Sequence, residues 1–230
     1  MPEFKRIYGR FFMNLTQSIS SLSGIGEKRR ALYARLGIES IGDLLRHFPR
    51  AYQNRSLIRP LDQLKDEEIC AVLVTVATEP RSATLKNRLE ILKFRVFDAT
   101  GSATVTFFGM PHLKKVIRVG MELRLFGKCK VRFGDIEFVS PQLEPCLPGK
   151  PLPDYVPIYP LTQGLSQKMI AAAVSQALDR IASEFRPATP DSPLLPDPIP
   201  PSIRKSRSLP DLFTALRLIH QGVLRREGLP

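Results

Sequence analysis

Two adjacent phenylalanines, Phe107 and Phe108, are the residues whose type and position best suit contact with a nucleic acid. They end a segment, residues 91–109, that also carries the cations Lys93 and Arg95. An exposed aromatic ring can stack on an unpaired base while neighbouring cations hold its phosphate. The alternative is structural: the second ring caps the edge of a sheet or packs under a helix.

Alternation of apolar and polar residues predicts that residues 91–109 form a β-hairpin, with turn chemistry at residues 99–101. Because side chains along a strand point alternately to opposite faces, Phe107 and Phe108 cannot both lie in the core. One ring is predicted to pack inside and the other to point outward beside the cations. The predicted faces hold Leu92, Phe94 and Val96 on one side and Lys93 and Arg95 on the other.

The chain is strongly basic, since its 230 residues carry a formal net charge of +12. This charge favours a polyanionic partner, with nucleic acid first and an anionic membrane surface second. No apolar run is long enough to span a bilayer, so a membrane is set aside as partner. The three cysteines are odd in number and lack metal-ligand spacing, which predicts reduced thiols in a cytoplasmic protein.

Two short helices around a Gly-Ile-Gly turn are predicted within residues 21–49. Gly24 and Gly26 would let backbone N–H groups approach a DNA phosphate at a helix N-terminus, as in a helix-hairpin-helix element. Lys28 and Arg29 add positive charge beside the turn. The alternative is a plain helical turn in which the two glycines only satisfy backbone geometry.

A second basic strand is predicted at residues 122–133, where apolar positions alternate with cations and with Phe126. An aromatic residue among cations indicates a binding surface, although a charged strand face can also be merely solvated. The predicted phosphate contacts on the two basic strands are Lys93, Arg95, Lys128, Lys130 and Arg132.

The predicted elements follow the order of three strands, a short helix and two strands. This is the layout of the OB-fold, a five-stranded Greek-key barrel whose face and loops bind oligonucleotides. The predicted fold class is mainly β with flanking helices (α+β), with the helix-hairpin-helix-like element before the barrel and further helices after it. Another small five-stranded sheet with one packed helix is the alternative.

Shifts in composition divide the chain into five predicted segments. They are a basic arm at residues 1–14, with Met1 or Met13 as the start; a helical, helix-hairpin-helix-like segment at 15–60; an OB-fold domain at 61–145; a proline-rich strap over the barrel with a helix at 146–185; and a proline-rich linker with a terminal helix at 186–230.

Sequence motifs for catalysis and metal binding are missing. The chain has no GxxxxGK[ST] loop, no HExxH, no GxSxG and no Cys/His metal spacing. His47, His112 and His220 fall in different predicted elements, which favours packing or surface roles. We therefore predict no catalytic residue, no metal site and no cofactor in this chain.

Three stretches of the chain carry a family resemblance: SLSGIGEKRRALYARLGIESIGDLLRHFPRAYQNRS, FRVFDATGSATVTFFG and VPIYPLTQGLSQKMI. In order and spacing they resemble the N-terminal part of the RecG family of ATP-dependent DNA helicases. The final helix, LPDLFTALRLIH, also matches, so the likeness covers residues 15–220.

In that family the OB barrel is a wedge at the branch of a stalled replication fork or Holliday junction, and it splits the strands while a separate motor moves on duplex DNA. The resemblance implies that Phe107 and Phe108 stack on the orphan bases. Some members carry another aromatic residue four positions on, where this chain has His112. The family continues into two helicase domains whose nucleotide-binding motifs this sequence lacks. ATP and Mg²⁺ are therefore expected only for those motor domains.

The predicted function is a wedge module that binds branched DNA, stacking at the branch and gripping the flanking phosphates, in DNA repair and recombination. When a motor drives it, the module is expected to split the strands. Two alternatives remain open: a generic single-stranded nucleic-acid-binding OB protein, and a protein-interaction adaptor. A single-strand-binding protein is a candidate partner, and a monomer is expected.

Overall fold

The computed structural model describes residues 15–84, 89–149, 151–184, 195 and 197–222. The predicted basic arm at residues 1–14, with both candidate start methionines, lies outside the described residues, as does part of the predicted proline-rich linker. The chain divides into two compact units. We call Asn54–Asp154 the barrel unit, and Met1–Gln53 together with Tyr155–Pro230 the helical unit.

The barrel unit is inserted into the sequence of the helical unit. This division differs from the five predicted segments, because the N-terminal and C-terminal parts of the chain share one apolar core. Leu44 from the first part and Ile170 from the second are both fully buried in that core. The predicted helical segment at 15–60 and the helix of the predicted segment at 146–185 therefore belong largely to one body.

Helices and strands alternate in groups along the chain. In order they are α1 (Glu27–Ala34), α2 (Ile41–Arg46), β1 (Ala51–Asn54), β2 (Ile69–Val76), β3 (Arg81–Thr84), β4 (Glu90–Phe97), β5 (Ser102–Phe108), β6 (Glu122–Arg132), β7 (Asp135–Val139), β8 (Gln142–Pro145), β9 (Tyr155–Ile158), α3 (Gln167–Glu184), α4 (Pro201–Ser206) and α5 (Leu212–Gln221), with 3₁₀ turns at Ile19–Ser21, Leu61–Gln63 and Pro111–Lys115.

Side-chain caps fix where two of the helices begin. At α2 the hydroxyl of Ser40 accepts from the backbone N–H of Asp43 at 3.1 Å, and the Asp43 carboxylate accepts from the backbone N–H of Ser40 at 3.0 Å. This reciprocal pair satisfies two N–H groups that a helix start otherwise leaves without partners. At α5 the Asp211 carboxylate accepts from the backbone N–H groups of Phe213 and Thr214.

Five strands of the barrel unit close a barrel. The hydrogen-bonded path runs β2–β4–β5–β7–β6, and β6 pairs again with β2. The 3₁₀ turn at Pro111–Lys115 lies between β5 and β6 in the chain, so the predicted order of three strands, a helical turn and two strands is confirmed. Two short strands that the pattern did not predict, β3 and β8, extend the sheet by pairing with β4 and β6. The architecture is that of the predicted OB-fold with helices before and after it.

The barrel interior follows the predicted alternation. Leu92, Phe94 and Val96 of β4 are buried, and so are Ala103, Val105 and Phe107 of β5. They meet Leu123, Leu125 and Cys129 of β6, and Phe138 of β7, in one apolar cluster. Burial of such side chains is the main favourable contribution to folding.

The outward face of the first half of β6 differs from the prediction. Arg124 and Phe126, expected among exposed cations, are both buried. Glu144 of β8 pairs with Arg124, and the guanidinium of Arg55, from the segment between β1 and β2, lies 4.8 Å from the centre of the Phe126 ring. Arg124 also donates to the carbonyl oxygen of Pro153 at 2.8 Å. Phe126 is therefore not available to a ligand.

The helices after the barrel are confirmed with two changes. The sequence predicts a helix at residues 162–185 with Ile170, Val174, Leu178 and Ile181 on one side. Helix α3 begins instead at Gln167, and these four residues are buried. The proline-rich linker, which the sequence predicts as a loop over residues 186–209, contains α4 in its described part. Proline is favoured at the first position of a helix, where its missing N–H is not needed, and Pro201 occupies that position.

Within the described ranges, no helix combines the length and apolar character needed to cross a lipid bilayer. The same residues contain no group of three or more His, Cys, Asp or Glu side chains placed to hold a metal ion.

Candidate nucleic-acid interface

Most of the predicted site residues of the two basic strands meet on one side of the barrel. Strand pairing places Lys93 and Arg95 of β4 beside Thr106 and Thr104 of β5. Thr104 in turn lies beside Glu137 of β7, and Glu137 lies beside Lys130 of β6. We call this surface the cationic face. It consists of the outward residues Lys93, Arg95, Phe97, Ser102, Thr104, Thr106, Phe108, Lys128, Lys130, Arg132, Asp135 and Glu137.

The two adjacent phenylalanines separate as predicted, one inward and one outward. Phe107 is 2% exposed, and its ring stacks on Phe94 with a centroid distance of 6.3 Å. Phe108 is 39% exposed at the end of β5, and Gly109 with φ of +64° lets the chain turn immediately after it. The stacking role implied for both residues is therefore open to Phe108 only, because the Phe107 ring is enclosed by the core.

A tight turn fixes the register of β4 against β5. Oδ1 of Asp98 accepts from the backbone N–H groups of Thr100 at 2.7 Å and Gly101 at 2.9 Å, and Oδ2 accepts from the N–H of Leu61 at 2.8 Å. Burial alone would raise the pKa of Asp98, but these hydrogen bonds and that of the Thr100 hydroxyl together lower it. The ionised Asp98 carboxylate thus stabilises the turn at the end of β4, the strand that carries Lys93 and Arg95.

Glu137 lies among the cations of the face. Its Oε1 accepts from the Thr106 hydroxyl at 2.7 Å and lies 3.9 Å from Nζ of Lys93. Arg95 instead donates to the Ser102 hydroxyl at 2.8 Å. Glu137 therefore weakens the positive potential at the centre of this surface.

The three predicted contacts on β6 differ in their partners. Lys128 forms an ion pair with Glu67, and both side chains are about half exposed. Lys130 and Arg132 are exposed, and neither forms an ion pair with another described residue. These two charges are therefore available to an anionic ligand.

The predicted helix-hairpin-helix-like residues belong to the helical unit. Gly24 has φ of +79°, and its carbonyl oxygen accepts from Nη1 of Arg29 at 2.7 Å, so this arginine stabilises the turn. Gly26 precedes α1 without a side-chain cap, and Lys28 is exposed. A phosphate contact by Gly24, Gly26, Lys28 and Arg29 stays a prediction.

Two further exposed rings of the barrel unit were not predicted as contacts. Phe97 is 44% exposed and lies outward at the end of β4. It has the same parity as Lys93 and Arg95, so the alternation of the hairpin could have placed it on this face. Phe133 is fully exposed in the turn between β6 and β7, whereas the sequence pattern predicts it at the end of a strand.

Comparison with known proteins agrees with this architecture. The family profile of the RecG wedge domain matches residues 18–181. The ATP-dependent DNA helicase RecG of Bacillus subtilis (strain 168) is 30% identical over 204 residues, which cover 89% of this chain and 28% of the relative. The RecG of Streptococcus pneumoniae serotype 4 is 33% identical over 185 residues, covering 76% of this chain and 26% of the relative.

A solved structure, of RecG bound to a three-way DNA junction, superimposes with a TM-score of 0.73 and 23% identity. The match covers 90% of this chain and 27% of that chain, and it supports the fold. This chain spans little more than a quarter of the length of these relatives. Because the profile matches well over half of the sequence, the chain belongs to the RecG wedge domain family.

Proposed function

We propose that the barrel unit binds branched DNA at the branch point, with Phe108 stacked on an unpaired base and the cationic face holding the adjoining phosphates. The observation that carries this proposal is the separation of Phe107 from Phe108, because an exposed ring beside cations suits an unpaired base. RecG bound to a three-way DNA junction is a solved structure of the same fold, which supports the choice of ligand.

The cations give the proposal a mechanism for holding the DNA. Lys93 and Arg95 on β4 and Lys130 and Arg132 on β6 lie on the same face, with β5 and β7 between them. They can therefore hold phosphates of a DNA backbone without reading its sequence. In a larger protein, a motor that pulls duplex DNA towards Phe108 would force the strands apart at the ring. ATP and Mg²⁺ belong to that motor in the proposal, and the wedge itself needs no cofactor.

Phe108→Ala is expected to weaken binding to a model fork with an unpaired base at the branch by about 1–3 kcal/mol, since one stacked base is lost. Binding to a blunt duplex of matched length should be unchanged, because a duplex offers no unpaired base. Fluorescence anisotropy of the 230-residue chain on the two labelled DNAs measures both quantities.

Two companion variants separate stacking from other effects. Phe108→Tyr keeps an aromatic ring and should bind like the parent, whereas Phe108→Leu keeps apolar volume without the ring and should bind like Phe108→Ala. Equal affinity for fork, duplex and single strand, unmoved by any Phe108 variant, would refute the proposal and favour a generic nucleic-acid binder. Absence of DNA binding would favour the adaptor, with a single-strand-binding protein as the partner to test.

Glu137→Gln is expected to strengthen binding to the same fork about 2- to 5-fold at low salt. One negative charge leaves the centre of the cationic face, and a charge some 4–8 Å from a phosphate is worth about 0.5–1 kcal/mol in water. The amide oxygen of glutamine can still accept from the Thr106 hydroxyl, so the local structure should persist. The gain should shrink as salt rises, because added ions screen exposed charges.

Asp179→Asn serves as the control for Glu137→Gln. It makes the same change of formal charge on an exposed side chain of the helical unit. If both variants raise affinity equally, only the net charge of the chain matters and the cationic face has no special role.

A further inference from the structure

Phe133 has a conformation that its residue type disfavours. It forms a two-residue turn with Gly134 between the paired residues Arg132 and Asp135, and φ is +51° at Phe133 and +88° at Gly134. Two positive φ angles in such a hairpin favour Asn-Gly, and a bulky residue with positive φ is an outlier. Its ring is also fully exposed, so no packing compensates for the strain. Strain retained without packing points to a ligand.

Phe97 lies at the same end of the cationic face. It pairs with Ser102, and the next residue of β5, Ala103, is level with Ile136 of β7. Ser102 is therefore level with Asp135, at the base of the turn that carries Phe133. Phe97 is 44% exposed at this end, although an aromatic ring of that size is more often buried.

The opposite end of the face carries Phe108. Along β5, Phe108 is six residues beyond Ser102, which at 3.3 Å per residue separates the two ends by about 20 Å. Lys93, Arg95 and Lys130 lie between them. Single-strand-binding OB-folds combine stacking rings with cations that hold the backbone, at about 4–16 nucleotides per OB-fold, and this face carries both kinds of group.

We propose that Phe97 and Phe133 form a second base-stacking site, which takes the unpaired DNA strand after it has crossed the cationic face from Phe108. This inference rests on the proposed function, because it extends the branch-point site along one strand. The ligand is a single-stranded DNA segment of several nucleotides, recognised by ring stacking and phosphate contacts without sequence preference.

The test compares forks whose unpaired arm is about 2 or about 12 nucleotides long, below and within the site size of an OB-fold. Phe133→Asn should preserve the turn, because Asn-Gly is its favoured sequence, and Phe97→Thr keeps a residue that suits a strand. We expect each variant to weaken binding of the long-arm fork about 5- to 150-fold, the effect of one stacked base, and to leave the short-arm fork unchanged. Fluorescence anisotropy measures both affinities.

Two controls complete the design. Phe133→Tyr keeps the ring and should bind the long arm like the parent, and Leu57→Ser removes a side chain that is 71% exposed elsewhere in the barrel unit and should change nothing. If Phe108→Ala weakens both forks while Phe133→Asn and Phe97→Thr weaken neither, the second site is refuted and the branch-point site stands. A loss that does not depend on arm length also refutes it, because the rings would then contact duplex. If Phe108→Ala itself has no effect, the proposed function fails.

Discussion

Replacing Glu144 with alanine is expected to lower the free energy of unfolding of the barrel unit by about 3–5 kcal/mol. Its carboxylate accepts from Nη1 of Arg55 at 2.7 Å and from Nε of Arg124 at 2.8 Å. These two arginine side chains are only 3% and 4% exposed. Burial lowers the pKa of Arg55, and the nearby charge of Arg124 lowers it further, while Glu144 opposes both effects. Alanine would leave two buried cations without their shared anion.

The positions of the tyrosines and cysteines allow this loss of stability to be assigned to one of the two units. The chain has five tyrosines and no tryptophan. The four tyrosines that the structure describes fall in the helical unit, whereas all three cysteines fall in the barrel unit. Cys70 and Cys129 are buried, and burial raises the pKa of the Cys70 thiol to about 12, so rapid labelling requires the barrel to open. Thiol labelling across a urea series should therefore show the lowered midpoint in Glu144→Ala, with tyrosine fluorescence following the helical unit.

An exposed ion pair of the same unit provides the matched control. Glu67→Gln removes the partner of Lys128, and because both side chains are about half exposed the change should be below about 1 kcal/mol. Glu144→Gln, which keeps an acceptor oxygen but loses the charge, should fall between the two. A loss in Glu144→Ala as small as that in Glu67→Gln would show that the arginines find other partners or water.

Period-two alternation made the strand faces of the barrel predictable from the sequence. Each strand of the hairpin needs only its own residues to define two faces, so Phe94 and Phe107 could be assigned inward and Lys93 outward without knowledge of any partner strand. The order of strands and turns then indicated an OB-fold. These are local features, and the structure confirms them.

Burial of an outward face was not predictable, because it depends on residues distant in sequence. Arg124 and Phe126 alternate like surface residues, yet the Phe126 ring lies under Arg55, which is 71 positions earlier, and Arg124 pairs with Glu144, which is 20 positions later. The short strand β8 that brings Glu144 has only four residues, follows Pro141 and ends in Pro145, which is too little for a recognisable pattern. Tertiary context therefore overrode the pattern.

The residues of the cationic face likewise could not all be predicted from local sequence, because some reach it through pairing with distant strands. Glu137 reaches its centre because β7 pairs in parallel with β5, a contact between strands about 30 residues apart. The local sequence around Glu137 predicts only a turn or rim residue. The position of Phe133 likewise depends on where β6 ends. Because Arg132 pairs with Asp135, Phe133 lies in the β6–β7 turn and not at the end of the strand.

Phe107→Ala is expected to lower the free energy of unfolding of the barrel unit by about 3–5 kcal/mol, the usual loss when a buried phenylalanine is truncated. The ring packs on Phe94 in a cluster with Val105 and Phe138, and alanine would leave a cavity there. Since whole domains are stable by about 5–15 kcal/mol, much of the barrel's stability would be lost. Thiol labelling of Cys70 and Cys129 in urea measures the change.

Phe108 provides the internal comparison, because it is the same residue type one position further along the chain. Phe108→Ala should change the free energy of unfolding by less than about 1 kcal/mol, as surface substitutions usually do. Phe107→Leu, which restores most of the apolar volume, should recover much of the stability and bind a fork like the parent under conditions where it is fully folded. If instead folded Phe107→Leu loses fork preference while Phe108→Ala keeps it, the ring that meets DNA has been assigned to the wrong face. The two substitutions therefore separate a residue that builds the barrel from one that the barrel presents to its ligand.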